Sequence, residues 1–128
     1  MSVLVVDDED SIRDVVIAIL EYAGYQAAGA VNGRDAIDCL KNNQGRFRLV
    51  LLDVMMPLMN AWDVLYEVRQ DPALAAIPMI HMTAGSNARQ KAMEQGAAGY
   101  LPKPIDIDAL LDTVEYYYAK SQPDSSLK

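Results

Sequence analysis

Basic residues, cysteine and long apolar runs are all scarce in this chain of 128 residues. Eleven lysines and arginines face 18 aspartates and glutamates, giving a formal net charge of −7. Such a balance excludes bulk binding to a nucleic-acid backbone as the expected role. The single cysteine, Cys39, permits no internal disulfide and fits a reducing cytosol, so the expected location is cytoplasmic. No apolar stretch approaches the roughly 20 residues needed to span a bilayer. No signal peptide is expected ahead of Val3-Leu4-Val5-Val6, which is too short for a signal core and reads as a strand. What the chain does have is apolar content, 52% of residues, which argues against disorder. Its length fits one domain with a single core.

Four apolar runs each end on a polar residue. Val3-Leu4-Val5-Val6 leads into Asp7-Asp8, and Leu49-Val50-Leu51-Leu52 into Asp53. Met79-Ile80-His81-Met82 leads into Thr83, and Gly99-Tyr100-Leu101-Pro102 into Lys103-Pro104. Short apolar runs separated by helical periodicity read as buried parallel strands. In an open sheet of that kind, ligands bind outside the carboxyl ends of the strands. Carboxylates, a hydroxyl and an ammonium delivered to one edge suit a divalent cation plus a phosphoryl group.

Between the runs the period becomes helical. Ile12, Val15, Val16, Ile19, Leu20 and Ala23 form one stripe, with Asp10 or Ser11 as its cap and Gly24 as its stop. A second strand is expected over 25–31. Asn32 caps a helix that turns Ala36, Ile37 and Leu40 inward. Val64, Leu65 and Val68 mark a third helix that closes before Asp71-Pro72. A fourth runs from Asn87 to Gln95, and a fifth, capped by Asp106, carries Ile107, Leu110, Leu111, Val114, Tyr117 and Tyr118. Five β-α units with right-handed crossovers predict an α/β fold, a doubly wound five-stranded parallel sheet with helices on both faces. The domain is expected over 1–120, and 121–128 reads as a polar tail or the start of a linker.

Asp7-Asp8, Asp53-Val-Met-Met-Pro57, Thr83-Ala84 and Tyr100-Leu-Pro-Lys103-Pro104, in that order, resemble the markers of a response-regulator receiver domain. The likeness runs from about Val3 to about Lys120. It implies the flavodoxin-like strand order 2-1-3-4-5, which belongs to this class of folds and is not derivable from the sequence. It also implies two-component signalling, in which Asp53 takes a phosphoryl group from a histidine kinase or phosphotransfer protein. Asp8 would then bind Mg²⁺ directly, Asp7 through a metal-bound water, and Asp53 and the backbone carbonyl of Met55 would complete the protein ligands. Lys103 would neutralise a phosphoryl oxygen, and Thr83 would hydrogen-bond another. Thr83 and Tyr100 match the family's hydroxyl and aromatic switch pair. The surface they control would be the fourth helix, fifth strand and fifth helix, open to a downstream effector or a second copy. Met55 and Gly85, two residues beyond Asp53 and Thr83, cannot orient an attacking water, which predicts slow loss of phosphate.

Plainer readings exist for each residue. Taken alone, Asp7 and Asp8 serve equally well as an acidic helix N-terminus complementing the dipole. Thr83 alone is an ordinary strand end, and Lys103 alone is surface charge, although its flanking prolines suggest a fixed geometry with a cis Lys103–Pro104 bond. His81 is expected as a core histidine, Cys39 as helix packing, and at least one of Tyr116, Tyr117 and Tyr118 at the surface. Asn60-Ala61 and Pro102 depart from the family pattern without removing a ligand. Two rival functions compete. A haloacid-dehalogenase-like phosphatase would use Asp8 and Asp10 but leave Asp53 idle, and an unphosphorylated adaptor would not need the acidic site.

Overall fold

Val3 to Val6 alternate between two cores, and that alternation sets the architecture. The computed structural model describes residues 2–54, 61–84, 87–94 and 96–120. Strands β1 (Ser2–Val6), β2 (Gln26–Ala30), β3 (Phe47–Asp53), β4 (Met79–Thr83) and β5 (Gly99–Pro102) form one parallel sheet in the order β2-β1-β3-β4-β5. Helices α1 (Asp10–Tyr22), α2 (Gly33–Asn42), α3 (Ala61–Arg69), α4 (Pro72–Ala75), α5 (Ala88–Glu94) and α6 (Ile107–Lys120) connect and cover it. The doubly wound expectation and its strand order both hold.

Strand side chains point to opposite faces with period two. Leu4, Val6, Val50 and Leu52 pack with Ile37 and Leu40 of α2 and Val64 and Val68 of α3. Val3, Val5, Leu49 and Leu51 pack with Val16 and Leu20 of α1 and Leu110 and Val114 of α6. Both faces of β1 and β3 are therefore sealed, which is why those strands read as unbroken apolar runs. His81 is fully buried within β4, as expected.

Local chemistry fixes several boundaries. Asn32 Oδ1 accepts from the Asp35 amide at 2.8 Å, while Asp35 Oδ2 accepts from the Val31 amide at 3.0 Å. That reciprocal cap starts α2. Asp106 Oδ2 accepts from the Ala109 amide at 2.9 Å at the start of α6. Gly24, at φ +100°, stops α1 in the left-handed conformation that glycine permits.

Four expectations need correction. The N-cap of α1 is Glu9 with no side-chain cap bond, because Asp10 pairs with Arg13 instead. Val15 falls at the edge of its stripe and Ile107 at the N-terminal end of α6, and both are more than half exposed, at 57% and 53%. The second strand is shorter than 25–31, spanning Gln26–Ala30. Finally, the third helix does close before Asp71-Pro72, at Arg69, but Pro72 then opens a further short helix, α4, that was not expected, capped by Asp71 Oδ1 accepting from the Ala73 amide at 3.0 Å.

Candidate functional site

Because the strands are parallel, their carboxyl ends share one edge, and the loops there carry the polar residues of the four runs. Asp7 follows β1, Asp53 and Thr83 are the last residues of β3 and β4, and Lys103 follows β5. Backbone bonds tie those loops together. The Val54 amide donates to the Met82 carbonyl at 3.2 Å, and the Lys103 amide donates to the Thr83 carbonyl at 2.8 Å. The Lys103–Pro104 bond is cis.

Asp7, Asp8 and Asp53 each offer a carboxylate oxygen, and those oxygens lie within 4.8 Å of one another. Asp7 and Asp53 are buried, whereas Asp8 is exposed. Lys103 Nζ stands 3.1 Å from Asp53 Oδ1 and 3.7 Å from Asp7 Oδ2. Asp7 is held on several sides. Its amide donates to the Ala30 carbonyl at 3.1 Å, and its Oδ1 accepts from the Glu9 amide at 2.9 Å. Its own carbonyl accepts from Arg13 Nη1 at 2.8 Å. Oδ2 is buried with no hydrogen bond of its own.

Burial pushes the Asp7 carboxyl above the usual carboxylate range. The Glu9 amide opposes that shift, the nearby Asp53 adds to it, and Lys103 offsets part of the repulsion. One ammonium shared between two buried carboxylates, with a third close by, leaves a deficit of positive charge. A hard divalent cation fits it, since all the donors are oxygens and Asp7 Oδ2 lacks a hydrogen bond. Mg²⁺ suits a site with few protein ligands because it keeps several waters.

The structure thus brings Asp7, Asp8, Asp53 and Lys103 together. Thr83 is buried at the same edge, and its hydroxyl makes a 3.5 Å contact with the Ala84 carbonyl, long for such a bond. Tyr100, opposite His81 in the β4–β5 register, is 37% exposed. Met55 and Gly85 lie outside the described residues. Arg13 was not anticipated from the sequence; a helix arginine six residues after Asp7 carries no recognisable signal.

An open parallel sheet with an acidic cluster and a lysine at its carboxyl edge defines the class of phosphoryl-handling α/β modules. More particularly, the chain belongs to the response regulator receiver domain family, whose sequence model matches residues 3–115. Protein PilH of Pseudomonas aeruginosa is 33% identical over 88% of this chain and 93% of PilH. Response regulator MprA of a Mycobacterium species is 32% identical over 95% of this chain, which spans 52% of that longer regulator. The solved structure of chemotaxis protein CheY4 of Vibrio cholerae superposes with a TM-score of 0.81 at 32% identity, covering 91% of this chain and 97% of CheY4. The chain is a receiver domain with a phosphorelay role, a signalling phosphoacceptor rather than a conventional enzyme. Receiver domains typically bind Mg²⁺ at an acidic pocket and interact with histidine kinases or phosphotransfer proteins. The phosphatase and adaptor readings are not favoured. Among the described residues no helix is long and apolar enough to cross a membrane.

Proposed function

We propose that Asp53 is the residue that receives the phosphoryl group, with Asp7, Asp8 and Asp53 holding Mg²⁺ and Lys103 holding a phosphoryl oxygen. The observation that carries this reading is the bridging position of Lys103 Nζ, 3.1 Å from Asp53 and 3.7 Å from Asp7, inside the three-carboxylate cluster. The Met55 carbonyl would complete the ligands. When bound, the cation neutralises charge on the nucleophile and on the phosphoryl oxygens. An Asp53 oxygen attacks phosphorus in line, its P–O bond forms as the donor's P–N bond breaks, and the leaving imidazole takes up a proton. Lys103 follows the charge from the Asp53 carboxylate to the phosphoryl group. Positioning and electrostatics are most of what phosphoryl transfer asks of a protein.

The donor has to approach from the open edge. An apolar groove lined by Ile12, Val15, Ile19, Pro104, Ile105 and Ile107 adjoins Lys103 there. We assign it to the apolar face of the histidine kinase or phosphotransfer protein, which also accounts for the exposure of Val15 and Ile107. Such donors place the domain, residues 1–120, in the cytoplasm. Once phosphorylated, the Thr83 hydroxyl turns toward a phosphoryl oxygen and Tyr100 moves into the space beside β4. That motion alters the face formed by α5, β5 and α6, where an effector or a second copy docks. Tyr116, 55% exposed, belongs to that face. The residues two beyond Asp53 and Thr83 are Met55 and Gly85, and neither type of side chain orients a water by a hydrogen bond, so self-dephosphorylation is slow.

Incubation with acetyl phosphate, intact mass and borohydride trapping test the assignment. The expected result is one label, on Asp53, lost in Asp53→Asn and in EDTA. A label elsewhere, or uptake indifferent to EDTA, refutes it.

A further inference from the structure

Arg13 reaches the acidic site from outside it. It sits in the first turns of α1 with its side chain 13% exposed, and its guanidinium is a fork. Nη1 donates to the Asp7 carbonyl at 2.8 Å, and Nη2 donates to Asp10 Oδ1. The stem of the side chain crosses β2 at Gly29. A Cβ on Gly29 would stand 2.9 Å from Arg13 Cδ, 3.2 Å from Arg13 Nε and 3.1 Å from Ile17 Cδ1. Gly29 has no left-handed backbone that would demand glycine. What it supplies is clearance, since an alanine there meets the middle of a side chain whose far end is fixed on two acceptors.

Asp10 offsets the guanidinium charge. Arg13 therefore touches the acidic site chiefly as one fixed donor, Nη1, whose direction is set by the hold of Nη2 on Asp10. The other anchors of Asp7 come from β2, through Ala30, and from its own turn, through Glu9. Arg13 adds α1 as a third anchor, at the peptide that joins Asp7 to Asp8. We propose that Arg13 is a positioning residue for the cation site: its fork fixes the Asp7–Asp8 peptide so that the two carboxylates converge with Asp53, and Gly29 is the clearance that the fork requires. This rests on the reading of Asp7, Asp8 and Asp53 as the holders of Mg²⁺ at the phosphoacceptor.

Two substitutions separate position from charge. Arg13→Lys keeps the positive charge but replaces the fork with a single ammonium, so a role through charge survives it and a role through geometry does not. Gly29→Ala leaves every polar group in place and displaces the fork by pressing on its stem from the β2 backbone beneath it. The readouts are Mn²⁺ affinity by electron paramagnetic resonance, the Mg²⁺ concentration that half-saturates labelling by acetyl phosphate, and the thermal midpoint. Residues that orient metal ligands typically change affinity 10–100-fold, and Arg13 acts through a backbone, so Arg13→Lys should weaken Mn²⁺ binding about 10-fold. Gly29→Ala should weaken it in the same direction by less. The double variant should match Arg13→Lys alone, since both act on one contact. Rates of labelling at saturating Mg²⁺ should stay close to wild type. Mn²⁺ affinity unchanged in both single variants, or effects that multiply in the double variant, overturns the proposal. Gly29→Ala decides the matter if Arg13→Lys fails to fold. Mn²⁺ binding does not depend on phosphorylation, so a wild type that binds the ion without labelling Asp53 refutes the phosphoacceptor reading separately.

Discussion

Replacing Asp7 by Asn should make the metal-free protein more stable, although it removes a buried ion pair. Asp7 lies 3.7 Å from Lys103 Nζ and has a carboxylate oxygen within 4.8 Å of one from Asp53. At an effective dielectric of about 20, attraction and repulsion over such distances are each on the order of 4 kcal/mol and nearly cancel. The burial of a charge remains, opposed by the Glu9 amide that Asn Oδ1 can still accept. Asn therefore removes the unfavourable part and keeps the favourable one, a gain of about 1–2 kcal/mol, or about 1 M in the urea midpoint. The pH dependence has a definite sign. The folded carboxyl titrates above its ordinary 3.8, so the folded state holds this proton more tightly than the unfolded chain. This group's contribution to stability is present at low pH and is lost as pH rises from the unfolded value through the folded one. Urea unfolding followed by circular dichroism, in EDTA and in Mg²⁺ at several pH values, tests all of this. Mg²⁺ should stabilise wild type and do much less for Asp7→Asn. A metal-free Asp7→Asn protein less stable than wild type at neutral pH would refute the electrostatic account of the site.

Other predictions concern chemistry, switching and packing. Lys103→Met should slow labelling of Asp53 by about 100-fold at saturating Mg²⁺, the scale for losing one charge-stabilising donor, measured by quenched-time mass spectrometry. Thr83→Ala should still take up phosphate but uncouple Tyr100, so that beryllofluoride no longer shifts the Tyr100 ring resonances; the coupling lost is about 1–3 kcal/mol. Met55→Asn should speed dephosphorylation, read as a shorter acyl-phosphate lifetime. Gly99→Ala should cost about 1–3 kcal/mol in urea unfolding, because its Cβ would lie 2.8 Å from the Tyr117 hydroxyl, which donates to the Ala98 carbonyl at 2.9 Å. Leu52→Ala, fully buried, should cost about 2–5 kcal/mol in the same assay.

Periodicity and strand ends were legible in the amino-acid order because they are local. The apolar runs of β1 and β3 announced strands buried on both faces. The Asn32 and Asp106 caps followed from side chains that bond their own neighbouring amides. The convergence of Asp7, Asp53, Thr83 and Lys103 on one edge followed from parallel pairing alone. Whether a residue at the margin of a stripe or at the end of its helix is covered depends on what lies across from it. Val15 and Ile107 thus read as core while the structure leaves them beside a groove. Asp7 and Asp8 are identical in sequence, yet one is buried and the other exposed, because the chain leaves the sheet between them. The tertiary structure also decided the start of α1. Asp7 claims the Glu9 amide and Asp10 turns to Arg13, so neither Asp10 nor Ser11 caps the helix. The fork of Arg13 over Gly29 joins residues 16 positions apart on a helix and an edge strand. That contact exists only once α1 has packed against β2, and no spacing along the chain encodes it.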